Sequence, residues 1–136
     1  MRRSWAGLWT TLCLLVVGCG GGEPTVPTVS VNGKVAFQGA AVVEGVVTFE
    51  EPKMGYANSA PLNATGEFSM QIPRGNYQVS ITPPKIETPG GPDSPPGEGY
   101  KTVSNIPVKY WTPSTSSLTA NVGDKPTPFS FEMTAK

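Results

Sequence analysis

The 136-residue chain contains no histidine. That absence removes Ser-His-Asp triads, Cys-His pairs, the usual zinc sites and the commonest general base. Cysteine is nearly as scarce. Cys13 and Cys19 both lie near the N terminus, so the remainder can form neither a disulfide nor a thiol nucleophile. No apolar run approaches the roughly 20 residues that a membrane-spanning helix needs. Charge of one sign is not in surplus either: 10 basic residues face 10 acidic ones, which leaves no basic face for nucleic acid. Beyond residue 19 no apolar stripe of 3.6-residue period has useful length, and this argues against a helical fold.

What is present begins with a processing signal. Met1-Arg2-Arg3 is a basic start, followed by a short apolar stretch from Leu8 to Val17. A signal-peptide core fits that length and a membrane span does not. Arg2-Arg3 raises twin-arginine export, but Ala6 follows Trp5 where such signals favour Leu, so an ordinary secretion signal is expected. The stretch ends Val16-Val17-Gly18-Cys19, which resembles the bacterial lipobox. The resemblance implies cleavage before Cys19 and acylation of its thiol and new amine, palmitate being a typical acyl group. Each buried methylene contributes about 0.8 kcal/mol, so two or three chains anchor a protein firmly where one would not. Gly20 rather than Asp follows Cys19. By the sorting rule known for some bacteria this favours the outer over the inner membrane.

The expected organisation is therefore a signal peptide over 1–18, a flexible tether over 19–27 and one domain over 28–136. From Cys19 onward, 8 basic residues face 10 acidic ones, a net charge of −2. The membrane enters as a partner through the lipid, an envelope protein or glycan is a candidate, and nucleic acid is not expected.

From Thr28 the apolar residues alternate, the signature of half-buried strands. Val29, Val31, Gly33, Val35 and Phe37 share one face of a first strand, and Gln38-Gly39-Ala40 offers a turn. A second strand covers Val42–Phe49, and a loop covers Glu50–Asn58. A short strand at Ser59–Leu62 leads to the turn Asn63-Ala64-Thr65-Gly66. Phe68, Met70 and Ile72 alternate, Pro73-Arg74-Gly75-Asn76 turns the chain, and Tyr77, Val79 and Ile81 return. Between Pro83 and Gly99, 10 of 17 residues are Pro or Gly, so an exposed loop is expected there. Ile106–Trp111 follows, then strands at Leu118–Val122 and Phe129–Met133. Seven short strands joined by Gly/Pro turns read as an antiparallel β-sandwich.

Several of these segments together are similar to a carboxypeptidase regulatory-like domain. They are Val31-Asn32-Gly33-Lys34-Val35, Gln38-Gly39, Gly45-Val46-Val47-Thr48-Phe49, Thr65-Gly66-Glu67-Phe68 and Pro73-Arg74-Gly75-Asn76-Tyr77-Gln78-Val79. Thr65 stands where that family's turn has Asp. The resemblance spans most of residues 29–134 and implies a transthyretin-like (prealbumin-like) sandwich. It implies no carboxypeptidase activity, because in that family the module accompanies the catalytic domain. Hydroxyisourate hydrolases share the transthyretin-like fold, but their chemistry depends on histidines that this chain lacks.

No catalytic residue, metal ligand or cofactor is therefore expected. Glu50, Glu51, Asp93, Glu98 and Asp124 read as solvated loop charges without calcium-ligand spacing. Asn63-Ala64-Thr65 matches a glycosylation sequon by coincidence. The candidate ligand-binding residues are the loop aromatics Tyr100, Tyr110 and Trp111, flanked by Lys101 and Lys109. The competing expectation is that Tyr110 and Trp111 fold back to cap one end of the sandwich. The function that fits is a membrane-anchored, non-catalytic module for binding or display at the cell envelope. Its alternative is a small-ligand or carbohydrate receptor.

Overall fold

Alternation of apolar and polar residues drives about half of the described residues into strands. The computed structural model describes residues 25–93 and 95–136. The segment expected to be a signal peptide, the expected lipid-anchor Cys19 and most of the expected tether lie outside the described residues. In chain order the strands are β1 (Thr28–Phe37), β2 (Ala40–Ala41), β3 (Val46–Glu51), β4 (Tyr56–Pro61) and β5 (Glu67–Pro73). Then come β6 (Gly75–Thr82), β7 (Lys85–Thr88), β8 (Gly97–Tyr100), β9 (Leu118–Val122) and β10 (Pro128–Met133). A 3₁₀ turn at Val108–Tyr110 and one helical turn, α1 (Pro113–Ser116), precede β9.

Two four-stranded sheets pack as a sandwich. In the first, β1 pairs antiparallel with β5 and β2 along one edge and parallel with β10 along the other. In the second, the order is β4-β3-β6-β9, all antiparallel. The inner faces meet around Phe49, which is fully buried. Its ring lies 5.8 Å from those of Phe68 and Tyr77 and 6.0 Å from those of Phe129 and Phe131. Centroid spacings in this range suit tilted and edge-on aromatic contacts, which add stability beyond area burial.

The registers define two poles. Thr28 pairs with Pro73, Gly75 with Val122 and Glu51 with Tyr56, so these residues lie together at the end where β1 begins, the N-terminal pole. Val46 pairs with both Pro61 and Thr82, and Phe37 with Met133, so these lie at the opposite, C-terminal pole. Eight-residue β6 makes the sheet roughly 25 Å from pole to pole at about 3.3 Å per residue. The N-terminal pole carries three short turns. The C-terminal pole carries the long connection from Thr82 to Leu118, which includes the β7–β8 ribbon.

The expected β-sandwich class holds, with seven main strands in the two sheets, but four details differ. The first and last strands pair in parallel. The expected second strand is broken, because the chain leaves the first sheet after Ala41 and enters the second only at Val46. Val42 is buried and Val43 is 47% exposed, so the alternation changes phase across that step. The expected 50–58 loop shrinks to a four-residue turn between Glu51 and Tyr56. Finally, the Pro/Gly-rich stretch is exposed, but its ends pair as the β7–β8 ribbon.

Candidate functional site

The long connection at the C-terminal pole places all three aromatic candidates close together. Gln38 and Gly39 make the tight turn beside it, both at positive φ (49° and 83°), as a two-residue hairpin of primed type requires. Tyr100 ends β8 and is 41% exposed. Its ring packs on Trp111 at 5.0 Å with a 52° tilt. Trp111 is half-buried, and its Nε1 donates to the carbonyl of Ile106 at 3.1 Å. Tyr110 differs from both: it is buried in the core, with its hydroxyl accepting from the Thr134 backbone N–H at 3.0 Å. Tyr100 thus faces outward, while Trp111 packs half-buried against the core beneath it. Tyr110 presents no ligand surface and ties the 3₁₀ turn to the end of β10, so Tyr110 and Trp111 fold back to cap this end of the sandwich.

Exposed ion pairs orient the segments of this pole. The Lys101 ammonium donates to both Glu44 carboxylate oxygens at 2.8 Å, which fastens the end of the ribbon to the β2–β3 crossing. Lys85 pairs with Glu98 across the ribbon at 3.2 Å. Both pairs are exposed, so each contributes at most about 1 kcal/mol and mainly sets orientation. The Lys109 ammonium sits 4.7 Å from the Tyr110 ring centroid. Burial raises the Tyr110 pKa, but hydrogen bonds from Thr134 and Lys109 and the Lys109 charge outweigh it, and the net shift is downward.

The pole that carries the Tyr100–Trp111 pair also holds most of the exposed apolar side chains. Six large apolar side chains are exposed among the described residues, and four of them, Val43, Ile86, Tyr100 and Val108, belong to this pole. A slot of about 210 Å³ beside the Tyr100 ring is lined by Lys85, Glu98 and Gly99. Apolar surface with a charged rim is the make-up of a contact site.

Larger hollows lie elsewhere. One of about 530 Å³ over Gly33 has a mixed lining, Phe68 and Phe129 with Asn32, Lys34, Asn63 and Glu67. Another of about 390 Å³ lies beside Glu51, Asn76 and Tyr77. Neither holds an unpaired buried polar atom: among the described residues every buried side-chain nitrogen or oxygen has a partner. No three acidic or cysteine side chains group as metal ligands among those residues. The aromatic pole is therefore the better candidate despite its smaller hollow.

Of the carboxylates read as solvated, Asp93 and Glu98 are exposed, and Glu98 and Asp124 pair with Lys85 and Arg74. Glu51 departs from that expectation, being 6% exposed. Its Oε1 accepts from the Lys53 N–H and its Oε2 from the Asn76 N–H, both at 3.0 Å. It shares the inner face with Val47 and Phe49, a parity visible in the sequence. The exposed Val43 and the Lys101–Glu44 clamp had no such signal, because both depend on the crossing between sheets.

No family model and no curated protein sequence matches the chain. Among solved structures it is similar to a DUF3823 family protein from Parabacteroides merdae, at 16% identity and a TM-score of 0.44. That match covers 79% of this chain and 46% of the other, so the chain spans about half the length of that protein. It is also similar to the dioxygenase domain of a dioxygenase carbohydrate-binding protein fusion from Streptomyces sp. SirexAA-E, at 12% identity and a TM-score of 0.38. Here 84% of each chain is covered. Both likenesses are remote, and neither bears on what this chain does.

Proposed function

We propose that this chain is a lipid-anchored, non-catalytic envelope lipoprotein whose carboxypeptidase regulatory-like sandwich holds a contact surface away from the membrane. The observation that carries the reading is the opposition of the poles. The tether joins at Thr28, at one end of the sandwich, and the Tyr100–Trp111 surface lies at the other. An acyl group on Cys19, nine residues before Thr28 in sequence, would hold the first pole near the bilayer and turn the second toward a partner. Export, anchoring and outer-membrane delivery rest on the sequence between Met1 and Gly20. The absence of histidine supports a role in binding rather than turnover.

The test is fractionation of the full chain beside its Cys19→Ser variant. The parent should sediment with membranes and enter the detergent phase, carrying the mass of a diacylglyceryl group on Cys19. The variant should be recovered in the soluble fraction. A Cys19→Ser protein that still needs detergent refutes the anchor.

The exposed Tyr100 ring also favours a second reading, a receptor for an envelope glycan. Glycan binding lost in Tyr100→Ala or Trp111→Ala, with an unchanged urea transition, would identify the ligand class. Glycan binding that survives both would place the glycan site elsewhere, and no glycan binding at all would leave a protein as the partner.

A further inference from the structure

The N-terminal pole has a chemistry of its own. Its three turns are Pro52–Gly55 between β3 and β4, Arg74 between β5 and β6, and Gly123–Thr127 between β9 and β10. Met54 stands at the tip of the first turn and is 51% exposed. Lys53 precedes it, and Arg74 and Lys125 lie on the other two turns of the same pole. Arg74 is paired with Asp124 at 2.5 Å, and Glu51 is buried on backbone amides. Glu50 lies on the outer face of the second sheet, half-buried. Lys53 and Lys125 have no carboxylate partner among the described residues. The pole therefore presents an exposed methionine together with two exposed ammonium groups that no carboxylate among the described residues pairs, while its own carboxylates are half-buried, buried or paired.

That turn is also held still. Glu51 ties its Lys53 amide to the start of β6. The Met54 side chain rests over Gly75, where an added Cβ would come within 3.2 Å of its terminal methyl. A fixed apolar tip needs no ordering when it meets a surface.

We infer that this pole seats on the bilayer itself, with Met54 entering the headgroup region and Lys53 and Lys125 facing anionic lipid. The inference rests on the lipid-anchor reading, because the anchor delivers the pole to the membrane. Nine residues from Cys19 to Thr28 span at most about 30 Å, so the pole is confined near the headgroups at high effective concentration. Weak contacts then suffice. An exposed methionine can bury its side chain at the interface while neighbouring lysines keep their ammonium groups among the headgroups, and basic residues are drawn to anionic leaflets. Seating this pole also turns the Tyr100–Trp111 surface outward, as the proposed function requires.

The test uses acylated protein reconstituted into vesicles of phosphatidylcholine, with or without phosphatidylglycerol. Acylation leaves Cys19 without a free thiol, so Met54→Cys and Val108→Cys each give one site for an environment-sensitive fluorophore. Val108 is 69% exposed near the opposite pole. The expected result is blue-shifted emission and shielding from aqueous iodide at position 54 but not at 108, with a larger shift in phosphatidylglycerol. Lys53→Glu with Lys125→Glu should remove the phosphatidylglycerol increment. An equal response at the two positions, whether both shielded or both exposed, overturns the seating. If the protein is acylated and sediments with vesicles, that outcome leaves the anchor intact. A soluble, unacylated protein overturns both.

Discussion

At Tyr77 burial and hydrogen bonding act on one hydroxyl group. The side chain is 1% exposed, and its hydroxyl donates to the Pro73 carbonyl at 2.7 Å. Desolvation, then the neighbouring Tyr56 and Glu51, push its pKa up to about 12, against about 10 for a free phenol. A pKa raised by folding means that the folded state resists ionisation. The associated stability is complete below pH 10 and is lost as pH rises through 12. At about 1.4 kcal/mol per unit the full loss is about 3 kcal/mol. Tyr110, shifted downward, has the opposite sign and adds stability as pH approaches 10. Urea titrations from pH 8 to 12 should show a steep fall above pH 10 that Tyr77→Phe largely removes. The variant should lose about 0.5–1.5 kcal/mol at neutral pH with the missing hydrogen bond. A variant that falls as steeply as the parent would show that the alkaline transition belongs to another group. Glu51, close by, illustrates why single residues mislead a sequence reader. Its parity with Val47 and Phe49 points inward, yet a charged side chain is seldom buried without partners. One of its two amide donors, Asn76, is 25 positions away, so only the assembled fold makes the burial tolerable.

Turns are the elements where sequence and structure agree best, because their chemistry is local. In the β4–β5 turn, Asn63 Oδ1 accepts from the Thr65 N–H, the Thr65 hydroxyl and the Glu67 N–H, as Asx residues in turns do. Gly66 follows at φ +75°, and its carbonyl accepts from Val35 N–H at 2.8 Å. A Cβ there would lie 2.9 Å from the Val35 carbonyl oxygen. Gly39 has a similar φ of +83° with nothing within 4 Å. The pair separates conformation from crowding. Gly39→Ala should cost only the left-handed penalty, about 1–2 kcal/mol, whereas Gly66→Ala should exceed it by a further ~1 kcal/mol or more in urea denaturation. Equal losses would mean that the β4–β5 turn yields around the added methyl. Elements set by distant contacts were less legible. The phase change between Val42 and Val47 follows from crossing sheets at Gly45, where a Cβ would meet Ile106 Cδ1 at 3.0 Å and Leu62 Cδ1 at 3.2 Å. The β7–β8 ribbon hides in a composition that reads as loop. Its pairing places Gly97 and Gly99 opposite Thr88 and Ile86, where missing side chains on one strand make room for those on the other.

Over the whole molecule, closure depends on the pairing of the chain's first and last strands. Asn32–Phe37 of β1 runs parallel to Pro128–Met133 of β10, a contact between segments almost the full domain apart. Alternation in each strand revealed that both were strands and which faces were apolar. Nothing local could show that they were neighbours, since pairing over such a separation is decided by the complete core. The same core makes the contact indispensable. β10 contributes Met133, fully buried, and Phe131, 5% exposed and stacked with Phe68 and Phe129. Losing a buried Phe or Met costs about 2–5 kcal/mol each, and a domain of this size has only about 5–15 kcal/mol in all. A chain ending at Thr127 should therefore lack a cooperative urea transition, and a synthetic Pro128–Lys136 peptide added in excess should restore part of it. The ribbon offers the contrast. Lys85–Tyr100 meets the rest of the molecule chiefly through Tyr100 on Trp111 and through the neighbouring Lys101–Glu44 clamp. Replacing 85–100 by a short Gly-Ser linker should keep the cooperative transition and lower stability by no more than about 2 kcal/mol. If the ribbon deletion unfolds the protein while the β10 truncation does not, the core is closed by the long connection at the C-terminal pole rather than by the parallel pair.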